Sequence, residues 1–366
     1  MIKRLKKYLT IIDWYIMRQF ITTFLFILGM VIAISIVVDI VEKLDEFLSK
    51  NPSLYEIIFV YYLNFVPFWG SSLAPICIYL AVIFFTSRMA QRTEIVPLLS
   101  SGVSYYRLLV PYIMAACLLA GVSFYLKAYL VPQSTARQLD FEYKYEMRSK
   151  RISSTKDIHK KVALDTYVYI SYYNEKRKEG HNFSLERIED GEIVTKINAR
   201  KIIWVDSTEN WLLEKVRTRH IDGEDESLSI TNRLDTMFLL TPDDIFIREQ
   251  KAESMTLPVL LEYTKLEEMR GSDILKELYI ERHRRFADPL AIIILTLIGF
   301  AMSSRKSRGG IALQIGLGLL ICFIFIALLF AGQAIVGDSL PPWLGVWLPN
   351  FVFFPISLFL LHIAPK

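Results

Sequence analysis

FITTFLFILGMVIAISIVV, residues 20–38, decides the fold of this chain. It contains no Asp, Glu, Lys or Arg and is about as long as a helix must be to cross a bilayer core. Ile57–Ser87, Leu108–Leu126, Gly309–Gly337 and Leu340–Ala364 are equally free of charge, and Phe286–Ser304 carries only Asp288 near its start. The 366 residues are 53% hydrophobic and 22% charged, with most of the remaining charge collected in Val131–Tyr279. A soluble single-core domain is excluded. The expected architecture is a membrane protein of six transmembrane α-helices, with an extracytoplasmic all-β domain of sandwich or jelly-roll kind inserted between helices 3 and 4. Its boundaries are 1–130 for spans 1–3, 131–272 for the β-domain and 273–366 for spans 4–6.

Orientation follows the short loops, not the net charge of +4. Lys3, Arg4, Lys6, Lys7 and Arg18 precede or open span 1. Arg88, Arg92 and Arg107 separate spans 2 and 3, and Arg305, Lys306 and Arg308 separate spans 4 and 5, whereas the loop after span 1 is mainly acidic. Both termini are therefore expected in the cytoplasm and the β-domain in the periplasm. The first apolar run is too long for a cleaved signal peptide and lacks an Ala-x-Ala-like site. Cys77, Cys117 and Cys322 all fall inside apolar spans, which leaves the exported domain no disulfide framework.

Span 1 reads as a helix from about Tyr8 to Leu48, stopped by Asn51-Pro52-Ser53. Pro67 and Pro75 predict a kink in span 2, and Pro132 closes span 3. Period-2 alternation marks strands over Val162–Tyr173, Phe183–Ile188, Ile193–Val205 and Trp211–Ile221, with Asp190-Gly191 and Asp222-Gly223 as hairpin dipeptides. Ile274–Arg285 turns helical and enters span 4 through Asp288-Pro289.

The chain has no Walker A motif, no Gly-x-Gly-x-x-Gly turn, no His-Glu-x-x-His and no Gly-x-Ser-x-Gly. Its histidines are dispersed, and polar residues within the spans, such as Thr22, Ser35, Asn64 and Gln333, are too scattered for a catalytic set. Energy for transport must then come from elsewhere. The stretch 86–104 is amphipathic: Arg88, Gln91, Arg92 and Glu94 bracket Met89, Ile95, Val96 and Leu98. It reads as a short cytoplasmic helix, broken at Pro97, that lies in a partner's groove or on the membrane surface.

Five blocks carry a resemblance. Ile12-Asp-Trp-Tyr-Ile16, Met89-Ala-Gln-Arg-Thr-Glu-Ile-Val96 with Ser101-Gly102, Arg285-Phe-Ala-Asp-Pro-Leu290, Ser307-Arg-Gly-Gly310, and Leu340-Pro-Pro-Trp-Leu344 with Trp347-Leu-Pro-Asn350 resemble, in order and spacing, the LptF/LptG (YjgP/YjgQ) lipopolysaccharide-export permeases. The first two look more like the LptG branch. The resemblance implies a transport subunit, not an enzyme, of an ABC-type extractor that serves outer-membrane biogenesis from the inner membrane. It implies a cytoplasmic ATPase dimer that uses the ATP, a second permease subunit of the same family, and a periplasmic bridge protein that receives the lipid from the β-domain. No cofactor is expected on this chain.

In that family the coupling helix supplies the ATPase contact, which falls here on Glu94 with Arg88, Gln91 and Arg92 beside it. The lateral gate and cargo cavity fall on Phe20–Lys43 and Gly309–Val336, with Val38, Asp39, Ile40, Glu42 and Lys43 at the outer rim and Gly309, Gly310, Gly316 and Gly318 permitting close helix approach. One departure stands out. Family members commonly place basic residues at the outer end of span 1, whereas this chain has Asp39, with Lys43 the only nearby cation. The partner subunit, a bridging divalent cation or a less phosphorylated lipid A would then answer the head group. On that reading Lys43→Glu weakens lipid capture and Asp39→Lys is tolerated. The rival reading is a membrane-anchored periplasmic scaffold or receptor that transports nothing; a lipid-modifying intramembrane enzyme is disfavoured by the missing catalytic sets.

Overall fold

A computed structural model describes residues 10–145, 156–163, 165–174, 177–189, 192–223, 225–237, 241–245, 252–270, 274–304, 310–335 and 341–364. Six helices are long and apolar enough to cross a membrane: span 1, Ile11–Lys50; span 2, Glu56–Gln91; span 3, Tyr105–Lys144; span 4, Leu275–Ser303; span 5, Gly310–Ile335; and span 6, Pro342–Ile363. The chain divides into two compact units. One holds 1–147, 253–257 and 279–366, and the other holds 148–252 and 258–278.

Span 1 starts at a capping box, in which Thr10 and Asp13 satisfy each other's backbone N–H groups. Asn51, left-handed at φ 49°, ends it where the sequence expects a stop. Span 2 contains Pro67 and Pro75 within α-helix, and its departure from α geometry lies earlier, in a π-helical stretch over Glu56–Tyr62. Span 3 does not close at Pro132. The helix passes through a π-helical turn at Leu126–Leu130 and continues over Val131–Lys144. The proline sits at the opening of that second α segment, where its missing N–H costs no α-helical bond. Helix thus continues past Val131, where the sequence reading opened the β-domain. Span 4 runs unbroken through Pro289.

The bundle core is formed by Ile16, Phe20 and Phe24 of span 1, the Ala74–Phe85 face of span 2, Leu108–Ala120 of span 3 and Ile292–Ala301 of span 4. A neighbouring cluster joins Tyr79 and Ile83 to Ile294, Ile298, Phe325 and Phe353.

The second unit holds β1 Lys156–Ala163, β2 Thr166–Asn174, β3 Glu179–Glu189, β4 Glu192–Val205, β5 Asn210–Asp222 and β6 Asp225–Thr236. Every neighbouring pair is antiparallel and the order is β1-β2-β3-β4-β5-β6. The expected sandwich or jelly-roll pattern resolves, among the described residues, into one continuous meander without a Greek-key crossover. Its hairpins follow the turn chemistry: Glu189 pairs Glu192 across the Asp-Gly dipeptide, and Asp222 pairs Asp225 around Gly223 at φ +61°. Asp190 and Gly191 themselves lie outside the described residues. The stretch first read as one strand, Val162–Tyr173, is the end of β1, a turn and β2. One face is apolar and buried, with Val168, Ile170, Phe183, Ala199 and Val216 in cross-strand register.

Candidate functional site

The segment after span 2 places the four candidate coupling residues at one helix end. Span 2 stops at Gln91, and Thr93 turns left-handed at φ 57°, where the Glu94 N–H donates to the Met89 carbonyl at 3.0 Å. That 6→1 bond is a helix C-cap. The break thus falls at Thr93 and not at Pro97, which sits in the first turn of the short helix Ile95–Ser100, where no helical N–H bond is due. Ile95 is buried and anchors the turn, while Val96 and the Arg88 and Arg92 side chains are exposed and Glu94 is half-buried. Among the described residues Arg88, Arg92 and Glu94 have no ion-pair partner. Gln91 points elsewhere: its amide nitrogen lies 3.4 Å from where a Cβ on Gly310 would stand, which sets the end of span 2 beside the start of span 5.

At the same end of the bundle Arg107 of span 3 grips Asp13 of span 1 in a bidentate pair, 2.7 and 2.5 Å. Asp13, in the Ile12–Ile16 block, therefore caps its own helix and ties span 1 to span 3. The sequence reading did not foresee the second role, although a buried carboxylate near an apolar span always demands a partner.

The rim residues at the other end of span 1 separate into two sets. Val38, Ile40 and Glu42 are exposed. Asp39 and Lys43 turn inward and pair at 3.7 Å, as their i, i+4 spacing allows. Asp39 accepts hydrogen bonds from the Tyr61 and Tyr62 hydroxyls at 3.2 and 3.1 Å, and Lys43 reaches Glu142 of span 3 at 2.6 Å and the Tyr61 hydroxyl. Lys43 thus fastens spans 1, 2 and 3 instead of standing as an outward cation. An Asp39→Lys exchange, harmless on the sequence reading, would remove the acceptor of two tyrosines and set a second ammonium beside Lys43.

A further charged cluster escaped the sequence reading. Lys127 of span 3 pairs with Asp288 of span 4, Arg284 lies 3.7 Å from both Asp288 and Glu253, and Arg285, 1% exposed, donates to Glu281 at 3.0 Å and to the Met255 carbonyl at 2.6 Å. Burial, with Glu281 adding negative charge nearby, holds the Glu253 carboxyl above the usual carboxylate range, against the pull of Arg284. Asn350 of span 6 donates to the Ala287 carbonyl at 2.9 Å, so two of the five blocks meet here. Asp288, the lone charge noted in span 4, was the signal: an intramembrane carboxylate implies a cation, and Lys127 is the first one after the charge-free run Leu108–Leu126.

Of the candidate gate glycines, Gly309 lies outside the described residues and Gly310 takes φ +71°. Gly316 faces open space. Close approach occurs at Gly318, one of the four glycines read for it, where a Cβ would collide with Ile83, and at Gly332, where it would collide with the Gly345 carbonyl oxygen of span 6.

The spans differ most in how far the subunit covers them. Span 1 is the most apolar, with a mean hydropathy of 2.9, and 6% of its most apolar window is buried; the figures for span 5 are 2.8 and 22%, and for span 4 2.0 and 72%. Two long apolar helices thus present most of their surface outward.

The chain matches, over residues 14–363, the family described as "Lipopolysaccharide export system permease LptF/LptG". No curated protein matches it.

Proposed function

The chain belongs to the LptF/LptG family of lipopolysaccharide-export system permeases, and from that premise we propose that it is one permease subunit of an ABC-type extractor in the bacterial inner membrane. The match spans both branches of the family, so the LptG-like role stays part of this proposal. Spans 1 and 5 form the gate through which lipopolysaccharide enters a cavity shared with a second permease subunit. The carrying observation is their bareness: helices of hydropathy 2.9 and 2.8 that pack so little within their own subunit need an apolar partner, and acyl chains or a facing permease supply one.

In this reading the termini and the Arg88–Ser104 segment face the cytoplasm, where a dimeric ATPase docks on Arg88, Arg92 and Glu94 and performs all ATP hydrolysis. Their charges, without an ion-pair partner among the described residues, and the exposed Val96 beside them support that role. The sheet faces the periplasm. β6 is an edge strand, exposed along almost its whole length, a ready template for a bridge protein that continues the sheet and receives the lipid.

The test is co-purification. Arg92→Ala and Glu94→Ala should leave the subunit inserted and as stable as wild type but cost ATPase docking about 2 to 5 kcal/mol, as for interfacial charges that lose a partner. Full ATPase recovery and full lipid release with both variants would leave the segment as a membrane-surface helix.

A further inference from the structure

The sheet's second face is unlike its first. A groove of about 890 Å³ crosses the strands, lined mainly by residues that alternate with the buried apolar ones, with Val168, Phe183 and Ala199 also reaching it, within the range of pockets that hold small ligands. The register builds its floor as a row, since His159 pairs Tyr169, Tyr169 pairs Ser184, Ser184 pairs Asn198 and Asn198 pairs Arg217. Five strands at their usual spacing make this row about 19 Å long. The adjoining row brings Tyr167, Glu186 and Lys196.

The chemistry of the groove is one-sided. Its one carboxylate among the described lining residues, Glu186, is held by Lys196 at 2.6 Å. Arg200, Lys215 and Arg217 are exposed and have no acidic partner among the described residues. Three uncompensated cations around one groove attract an anion and repel a second cation. The rest of the lining is mixed: Tyr167 is 42% exposed, Tyr169 lies against His159 with ring centres 4.7 Å apart, the Asn198 side chain is exposed, and Lys160, Val168, Phe183 and Ala199 also contribute.

We propose that this groove binds an anionic saccharide, with Arg200, Lys215 and Arg217 on its phosphates or carboxylates and the Tyr167 ring and Asn198 on the sugar. Acyl chains are excluded, because they would strip water from three charges without replacing it. That the saccharide arrives linked to a lipid rests on the permease reading above; recognition of the anionic sugar does not.

The experiment uses the full chain in lipid nanodiscs and measures binding calorimetrically. The probes are deacylated, phosphorylated oligosaccharide from lipopolysaccharide, the same material after phosphatase treatment, intact lipopolysaccharide, and a hexa-aspartate peptide. The phosphorylated sugar should bind at least tenfold more tightly than the dephosphorylated one, and the affinity should fall steeply with salt. The combined variant Arg200→Gln, Lys215→Gln, Arg217→Gln should lose at least thirtyfold, and Arg217→Gln alone, the safeguard against misfolding, about fivefold. Equal binding of the two sugars, unchanged affinity in the variants, or tighter binding of the acidic peptide overturns the proposal, the last in favour of a protein segment. Intact lipopolysaccharide should lose affinity in the same ratio as the free sugar. If it does not while the free sugar does, the groove stands and the lipid-linked source fails.

Discussion

Spans 1 and 4 are both apolar enough to cross a membrane, yet the subunit treats them in opposite ways. Span 4, the less hydrophobic of the two, is 72% buried over its most apolar window, and span 1 is 6% buried. Hydropathy places a helix in lipid but cannot pack it there, since lipid tails are as apolar as leucine. Packing needs small residues and polar contacts. Span 4 has both: Ala291, Gly299, Ala301 and Ser303 face its neighbours, and Asp288, Arg284 and Arg285 bind its start. Residues 20–38 of span 1 are mostly Phe, Leu, Ile and Val; of their few small or polar residues, Thr23 and Ser35 donate to carbonyls of their own helix and Gly29 faces open space, and the helix is tied near its two ends, by Asp13 to Arg107 and by Lys43 to Glu142. A long helix fixed at its ends and bare between is suited to exchanging partners along its middle.

The sharpest way to break this contrast is to remove a tie on the packed side. Lys127→Met should destabilise the subunit by about 2 to 3 kcal/mol, below the usual ~3 to 5 for a buried charge left wholly unpaired because Arg284 stays 3.7 Å from Asp288. The double variant with Asp288→Asn should recover much of it. Unfolding in a graded denaturing detergent measures both, and a Lys127→Met protein as stable as wild type would show that span 4 is held by shape alone.

A smaller effect separates the two faces of span 5. Gly332→Ala drives a methyl into the span 6 backbone at Gly345 and should cost about 1 to 3 kcal/mol, whereas Gly316→Ala meets no atom and should cost nothing measurable. Equal unfolding midpoints for the two would erase the distinction between a packed and a bare face.

How much of this was legible beforehand differs element by element. The spans were, because charge-free runs of that length have no other use, and so were the hairpins at their Asp-Gly turns. The break after span 2 was not: a threonine in left-handed conformation has no sequence signature, and its stability comes from the Glu94 to Met89 backbone bond. Pro132 misled because proline ends a helix in its interior but is accommodated at the opening of a new segment. Spacing put Asp39 and Lys43 on one helix face, as found, yet could not say that Tyr61, Tyr62 and Glu142 would occupy that face. The inward turn of Lys43 depends on two other helices.

The weakest effect concerns pH. Glu253 has its folded-state proton affinity raised, so the folded state favours its neutral form. The sign follows: stability linked to this group is fullest at low pH and declines as pH rises through its ordinary range and up to the raised value. Glu253→Gln, which keeps the neutral shape, should flatten that slope and leave stability at low pH unchanged. Parallel pH profiles for the two proteins would remove Glu253 from the packed cluster's electrostatics.

The most direct measurement is site-specific photo-crosslinking to lipopolysaccharide in native membranes, with the permease assembled and hydrolysing ATP. Probes are placed one at a time at Val38 of span 1 and Leu317 of span 5, both exposed, and at Ile292 of span 4, which is buried. The gate assignment predicts lipopolysaccharide adducts from Val38 and Leu317, diminished when ATP hydrolysis proceeds, and none from Ile292. A complex competent to hydrolyse ATP that yields, with hydrolysis arrested, no adduct from either span would contradict it.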